Sequence, residues 1–266
     1  MGSNRLTLGI VTISYNQAPY LAEAIESVQL RDPDRLRYVI VDPGSTDGSR
    51  EIIDRYKDRF SAMVLTPDRG PADGLNRGFE CCHADVYGFL NADDRFPPGV
   101  LDWVLDYFEQ NPEVDMIMGA LRIIDKAGNR ARRQGSTAWK FSSQNFLDRV
   151  CAIVQQSTFF RKSAWDKVSG FNINNATCWD SELFVDMDLA GARTHQVLRV
   201  LGEFRIYPDS ITGSQRLKER TEQDMKAIDQ KIMSRGLRPA PWPLNTLKRA
   251  AFRLHPVRQT QRFLVG

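Results

Sequence analysis

The chain has no long apolar run. No stretch of its 266 residues approaches the roughly 18 to 20 uninterrupted apolar positions needed to cross a bilayer. No apolar segment precedes the first strand-like run, so a signal peptide is not expected. Cysteine is sparse: Cys81, Cys82, Cys151 and Cys178 show no C-x-x-C spacing and no histidine companions. That excludes a zinc module and predicts reduced thiols in a cytoplasmic protein. Acid is missing from one place. From Lys231 to Gly266 there are eight Lys/Arg and no Asp or Glu, which leaves 28 Lys/Arg against 33 Asp/Glu in residues 1–230. The tail is basic on a mildly acidic body. Aromatic residues are not interleaved through that tail as a nucleic-acid surface would require, so no nucleic-acid partner is expected. No internal repeat or low-complexity segment is present.

What remains is ordinary globular composition, 42% hydrophobic and 26% charged. A chain of this length buries a core without disulfide staples. Leu6–Ser14, Tyr38–Val41, Ala62–Leu65, Val86–Leu90 and Asp115–Met118 are short, β-branched apolar runs that predict strands. Between them, Tyr20, Leu21, Ala24, Ile25 and Val28 recur at helical spacing. Glu51–Tyr56, Gly74–Cys82 and a segment opened by Pro97 and Pro98 and running to about Gln110 also predict helices. Strands alternating with helices imply an α/β fold with a mainly parallel sheet flanked by helices. The polar region 120–150 leaves room for a hairpin around Lys126-Ala127-Gly128-Asn129.

In open α/β sheets the ligand lies at the carboxyl ends of the strands, and three polar clusters fall there. Thr12, Ser14, Tyr15 and Asn16 suit a base or ribose, although a turn with a helix cap accounts for them equally. Asp42-Pro43-Gly44-Ser45-Thr46-Asp47-Gly48-Ser49 holds turn glycines and two helix-cap candidates, Ser45 and Asp47. Capping does not explain Asp42 directly after an apolar strand, where it can accept from a base imide or a ribose hydroxyl. Asn91-Ala92-Asp93-Asp94 offers carboxylates that can hold a divalent cation against a diphosphate, with Asp94 alternatively an N-cap. A fourth cluster, Trp179-Asp180-Ser181-Glu182, opens a helical pattern, where acids commonly serve the helix dipole.

Taken in order, these segments resemble the family 2 glycosyltransferases with the GT-A fold. The resemblance rests on T-I-S-Y-N-Q-A-P-Y-L-A-E-A-I-E-S-V (Thr12–Val28), V-I-V-D-P-G-S-T-D-G-S (Val39–Ser49), D-R-G-P-A-D-G-L-N-R-G-F (Asp68–Phe79) and F-L-N-A-D-D (Phe89–Asp94). Q-Q-S-T-F-F-R (Gln155–Arg161), Gly170-Phe171 and W-D-S-E-L (Trp179–Leu183) extend it, and it covers roughly residues 6–215. It implies a Rossmann-like GT-A domain over residues 1–230 with a C-terminal helical extension over 231–266. Thr12, Tyr15 and Asp42 would hold the nucleoside, Asp42 at the base. Asn16, Ser45, Asn76, Asn91 and Ala92 would complete the donor side, with Asp73 near the diphosphate and sugar. Asp93 would bind Mn²⁺ or Mg²⁺, Gln156 and Trp179 would face the acceptor, and Asp180 would be the general base. Two departures stand out. The family's D-x-D begins here with Asn91, and the acid before the base is replaced by Trp179.

The implied reaction is inverting transfer from a nucleotide sugar, with uridine the default base because Asp42 suits an imide edge. The acceptor would be a hydroxyl of a saccharide or lipid-linked saccharide. A nucleotidyltransferase would want a glycine-rich basic loop after the first strand, which Ser14-Tyr15-Asn16-Gln17 does not provide. A non-catalytic nucleotide-sugar-binding protein stays open because of Asn91 and Trp179. In the tail, residues 236–245 hold three prolines and predict a linker or strap. Thr246–His255 predicts a helix with Leu244, Leu247, Ala251 and Leu254 on one side and Lys248, Arg249 and Arg253 on the other. Such a helix suits an anionic membrane surface; packing on the domain or a dimer contact are the alternatives.

Overall fold

The computed structural model describes residues 5–134, 140–151, 153–208 and 217–254. Four parallel strands form its first half: β1 (Leu8–Ile13), β2 (Leu36–Val41), β3 (Ala62–Val64) and β4 (Val86–Asn91), in the order β3-β2-β1-β4. β1 lies between β2 and β4, with Ile13 level with Val41 on one side and Asn91 on the other. The strand order reverses at β1, so the crevice at its carboxyl end is the topological switch point where such sheets bind ligands. Beyond β4 the sheet becomes mixed. β7 (Thr158–Arg161) runs antiparallel between β4 and β5 (Met116–Ile124). β5 also pairs with β6 (Arg130–Gln134) and, in parallel, with β8 (Thr194–Arg205), completing eight strands.

Both faces of the sheet are covered, which is why the strands read as continuous apolar runs. Leu8, Ile10, Tyr38, Ile40, Val86 and Leu90 pack on one face against α1 (Ala18–Ser27) and α4 (Val100–Gln110). Val11, Val39, Val41 and Phe89 pack on the other, against α3 (Pro71–Glu80), α7 (Trp179–Leu189) and α8 (Lys218–Ser234). Helix α3 lies flush on the strands because Gly78 carries no side chain. A Cβ there would sit 2.4 Å from a Val11 methyl and 2.9 Å from one of Val41.

Several elements depart from the sequence expectation. Helix α3 starts a turn earlier, at Pro71 rather than Gly74. Helix α4 begins at Val100 after Gly99 rather than at Pro97. Strand β5 continues past Met118 to Ile124 because β6 and β8 pair with its second half. The hairpin expected near residues 126–129 forms between β5 and β6, where the Asp125 carboxylate accepts from the Ala127 and Asn129 amides at 2.9 and 2.8 Å. Strand β8 was not anticipated. The division expected after residue 230 falls inside α8, where Lys231 pairs with Glu182 and Asp186 and Ile232 is fully buried. The tail helix, α9, spans Leu244–Leu254; the expected His255 end lies outside the described residues. All four cysteines are unpaired. Among the described residues, no helix is long and apolar enough to cross a membrane.

Candidate active site

The carboxyl ends of β1, β2 and β4 are locked level by backbone hydrogen bonds. Ser14 N donates to Val41 O at 2.9 Å, Asp42 N to Val64 O at 2.9 Å and Ala92 N to Ile13 O at 3.0 Å. Loops after β1 and β2 are stitched to each other. Asn16 N donates to Ser45 Oγ (2.8 Å), Thr46 N to Asn16 Oδ1 (2.9 Å), Gln17 N to Ser49 Oγ (3.1 Å) and Ala18 N to Asp47 Oδ2 (2.9 Å). Asn16 takes a positive φ of 52° to make this possible. Helix α2 (Ser49–Arg55) starts after Gly48 with no side-chain cap, so Ser45 and Asp47 bind the neighbouring loop and turn instead. Tyr15 projects from this seam, 62% exposed.

Asp42 is completely buried beneath it. Its carboxylate accepts from Gly44 N (3.0 Å), Ser45 N (2.8 Å), Ser45 Oγ (2.6 Å) and Arg50 Nε (2.6 Å). Burial pushes its pKa up, but these donors outweigh burial and hold it below the usual carboxylate value. Thr12 is also fully buried, its hydroxyl 3.1 Å from that of Tyr38. Its side chain therefore faces the core and not the crevice. Asp73, near the start of α3, accepts from Arg69 and is bridged by Arg77 at 3.1 Å; the Arg69 side chain is the largest influence lowering its pKa. Asn76 is engaged on both amide edges by the Phe171 backbone, at 2.9 and 2.8 Å. It ties α3 to the segment before α7.

The loop after β4 is held differently. Asn91 Nδ2 reaches Asp94 (3.3 Å) and Gln155 (3.2 Å). Ala92 is buried. Asp94 does not cap α4: it is buried and accepts from Arg205 N (2.9 Å) and Gln156 Nε2 (2.8 Å). Gln156 is thereby directed at this loop. Burial, then the neighbouring Asp93, push Asp94 well above the ordinary value. Asp93 stays half-buried. Burial raises its pKa too, partly offset by the Tyr207 hydroxyl, which donates to Oδ2 at 3.2 Å, and by Arg205. Arg205 is almost wholly buried. It donates to the Asp93 carbonyl (2.8 Å) and to the Asp125 and Lys126 carbonyls (3.1 Å each), pairs with Glu23, and lies over the Tyr20 ring at 4.8 Å. Arg95 joins Glu23 to Glu203 beside it. Sequence reasoning missed Arg50, Arg205 and Tyr207. An arginine ending an unrecognised strand, and a tyrosine two residues beyond it, carried no signal of their own.

Helix α7 brings the fourth cluster to the same strand end. The Trp179 ring packs 5.7 Å from Phe89, which precedes Asn91 by two positions on β4, and 5.5 Å from Phe171. That fixes the helix start beside the crevice. Asp180 next to it is half-buried and accepts from Ser181, N at 2.6 Å and Oγ at 3.3 Å. Burial raises its pKa, and among the described residues no Lys or Arg pairs with it. Two residues on, Glu182 shows the opposite outcome: burial raises it, but Lys231, Asn175 and Asn172 bring it below its usual value.

Among the described residues, no group of three His, Cys, Asp or Glu side chains is arranged to hold a metal ion. The donor set fits a cation in one way. Mg²⁺ is commonly held by one or two carboxylates plus substrate phosphates and water, and Asp93 is a partly accessible carboxylate at the switch point, raised by burial and so gaining from a nearby positive charge.

The profile of the family described as "Glycosyl transferase family 2" matches residues 9–169, and the chain belongs to that family. Asp180 lies beyond the matched span. Chondroitin synthase of Escherichia coli is 22% identical over 237 residues, 88% of this chain; the chain spans 34% of that relative's length. S. aureus TarS in complex with UDP-GlcNAc superposes with a TM-score of 0.68 at 15% identity, over 93% of this chain and 71% of that one. The mannosyltransferase PcManGT from Pyrobaculum calidifontis, in complex with GDP-Man and Mn²⁺, gives 0.65 at 18% identity, over 98% and 75%. The fold is the GT-A fold.

Proposed function

We propose that this chain is an inverting glycosyltransferase that moves a sugar from a nucleotide sugar, a UDP-sugar by preference, to a hydroxyl of a saccharide or lipid-linked saccharide. The observation that carries the reading is Asp180: a carboxylate with raised proton affinity and, among the described residues, no cationic partner, its helix start packed through Trp179 on Phe89 of β4. Asp180 accepts the proton of the acceptor hydroxyl as the oxygen attacks the anomeric carbon. With a single base, displacement is direct and configuration inverts. Asp93 would hold Mn²⁺ or Mg²⁺ together with the donor phosphates, supplying positive charge to the departing diphosphate. Asn91 brings no charge, so cation affinity rests on Asp93. Tyr15 and the seam of Asn16 and Ser45 offer the nucleoside a preformed surface. Asp42 supports that seam from below, and Asp73 and Asn76 fix α3 behind it. The TarS complex with UDP-GlcNAc supports a uridine donor, and the Mn²⁺ of the PcManGT complex supports the cation. Four unpaired cysteines suit a cytoplasmic reaction.

Thermal shift and donor hydrolysis across a panel of nucleotide sugars, with Mn²⁺ or with chelator, test the reading. A UDP-sugar should raise the melting temperature and release UDP only with the cation. Binding without cation-dependent release under any acceptor would leave a nucleotide-sugar-binding protein instead. No response to any nucleotide sugar would overturn both.

A further inference from the structure

The tail helix is docked on the domain by its polar side. Asp148, directly after α5 (Ser143–Leu147), is the anchor. Its buried carboxylate accepts from Ala240 N (2.7 Å) and Lys248 Nζ (2.7 Å), and its carbonyl accepts from Arg249 Nε (3.0 Å). Gln144 holds the Arg238 carbonyl at 2.9 Å, and Phe252 is buried. This fastening turns the apolar side of the same helix outward. Leu247 is 63% exposed, Leu254 65%, and Trp242 83%, with Leu244 and Ala251 also exposed. Scattered exposed leucines need no explanation, but these fall on one short, firmly anchored segment. The segment's own charge has one sign: Arg235, Arg238, Arg249 and Arg253 are exposed, and residues 231–254 contain no acid.

We propose that the face formed by Trp242, Leu244, Leu247 and Leu254 docks on an anionic lipid bilayer. Each part has its counterpart there. Leucines enter the acyl boundary, a tryptophan sits at the headgroup level, and arginines meet anionic headgroups. A second copy of the chain is the poorer occupant, because a two-fold contact sets the same arginines against each other. Asp148 and its bonds hold the helix in a fixed pose, so the bilayer receives a preformed surface and no folding accompanies binding. A lipid-linked acceptor would then be met in two dimensions.

The test is sedimentation of the full chain with vesicles of phosphatidylcholine alone or mixed with phosphatidylglycerol, with light scattering in parallel. Binding should require phosphatidylglycerol and weaken with added salt. Leu247→Ser combined with Leu254→Ser should reduce it on the order of tenfold or more with the melting temperature unchanged. Arg253→Gln should reduce it about fivefold at low salt. Equal binding to both vesicle types, or none, would overturn the proposal. So would a double variant that keeps its vesicle binding but turns a dimer into a monomer. The readout is binding and not turnover, so it stands or fails separately from glycosyl transfer.

Discussion

Two carboxylates of the candidate site, Asp42 after β2 and Asp180 at the start of α7, are held in opposite ways. Asp42 sits among four donors, including a guanidinium, and its pKa lies below the ordinary value although it is fully buried. Asp180 is less enclosed, has among the described residues no Lys or Arg paired with it, accepts side-chain and backbone bonds from its neighbour Ser181, and its pKa is raised. A carboxylate with its lone pairs taken has little affinity for a proton and acts as framework. One with few donors and no cation beside it is ready to accept a proton. The same contrast appears inside one motif, where Asp94 is buried and bonded by Arg205 and Gln156 while Asp93 stays partly accessible. Burial of an acid does not tell which role it has; the count and charge of its partners do.

The largest effect is expected at Asp180. Asp180→Asn keeps the size and the bond from Ser181 but cannot take the proton. Turnover should fall by about 10² to 10⁴ with donor affinity unchanged, as read by steady-state kinetics beside donor titration. Turnover near wild type would remove Asp180 from the chemistry. At Asp42 the expected loss is stability. Asp42→Ala strands the Arg50 guanidinium and the Gly44 and Ser45 amides, at a cost of about 3 kcal/mol in denaturant unfolding. A smaller effect separates the two sites by pH. Because the folded pKa of Asp42 is depressed, its contribution is complete at neutral pH. It is lost as pH falls through that folded value, below the ordinary carboxylate range. The gap between wild type and Asp42→Ala should therefore narrow in acid. The folded pKa of Asp180 is raised, so the fold weakens as pH rises from the ordinary value through the folded one. Asp180→Asn should be at least as stable as wild type at neutral pH, and that advantage should fade in acid. Melting curves against pH for both variants check the signs; parallel shifts would break the comparison.

Much of this architecture was legible because the buried strands announce themselves. Leu8–Ile13, Leu36–Val41 and Val86–Asn91 lie within a residue or two of their apolar runs, since both faces of each strand are covered. Their carboxyl ends, and the polar residues that follow each, could therefore be read directly from the sequence. Strand β8 was hidden because it is covered unevenly: Leu198 and Arg199 are exposed while Glu203 and Arg205 are buried. Charged residues inside a strand read as surface when their partners, Glu23, Arg95 and Arg122, are far away in sequence. Thr12 shows the reverse problem. A polar residue near a strand end looks like a ligand contact, yet the strand's alternation turns it toward Tyr38 and the core. The partners of Asp42 and Asp180 were equally out of reach, because hydrogen-bond counts belong to the folded chain.

In the proposed reaction one carboxylate, Asp180, drives a single displacement at the anomeric carbon. NMR of the first product formed from an α-linked nucleotide sugar tests it most directly. A β-linked product is expected, with no α-linked product formed at early times. A product that retains the α configuration would contradict it.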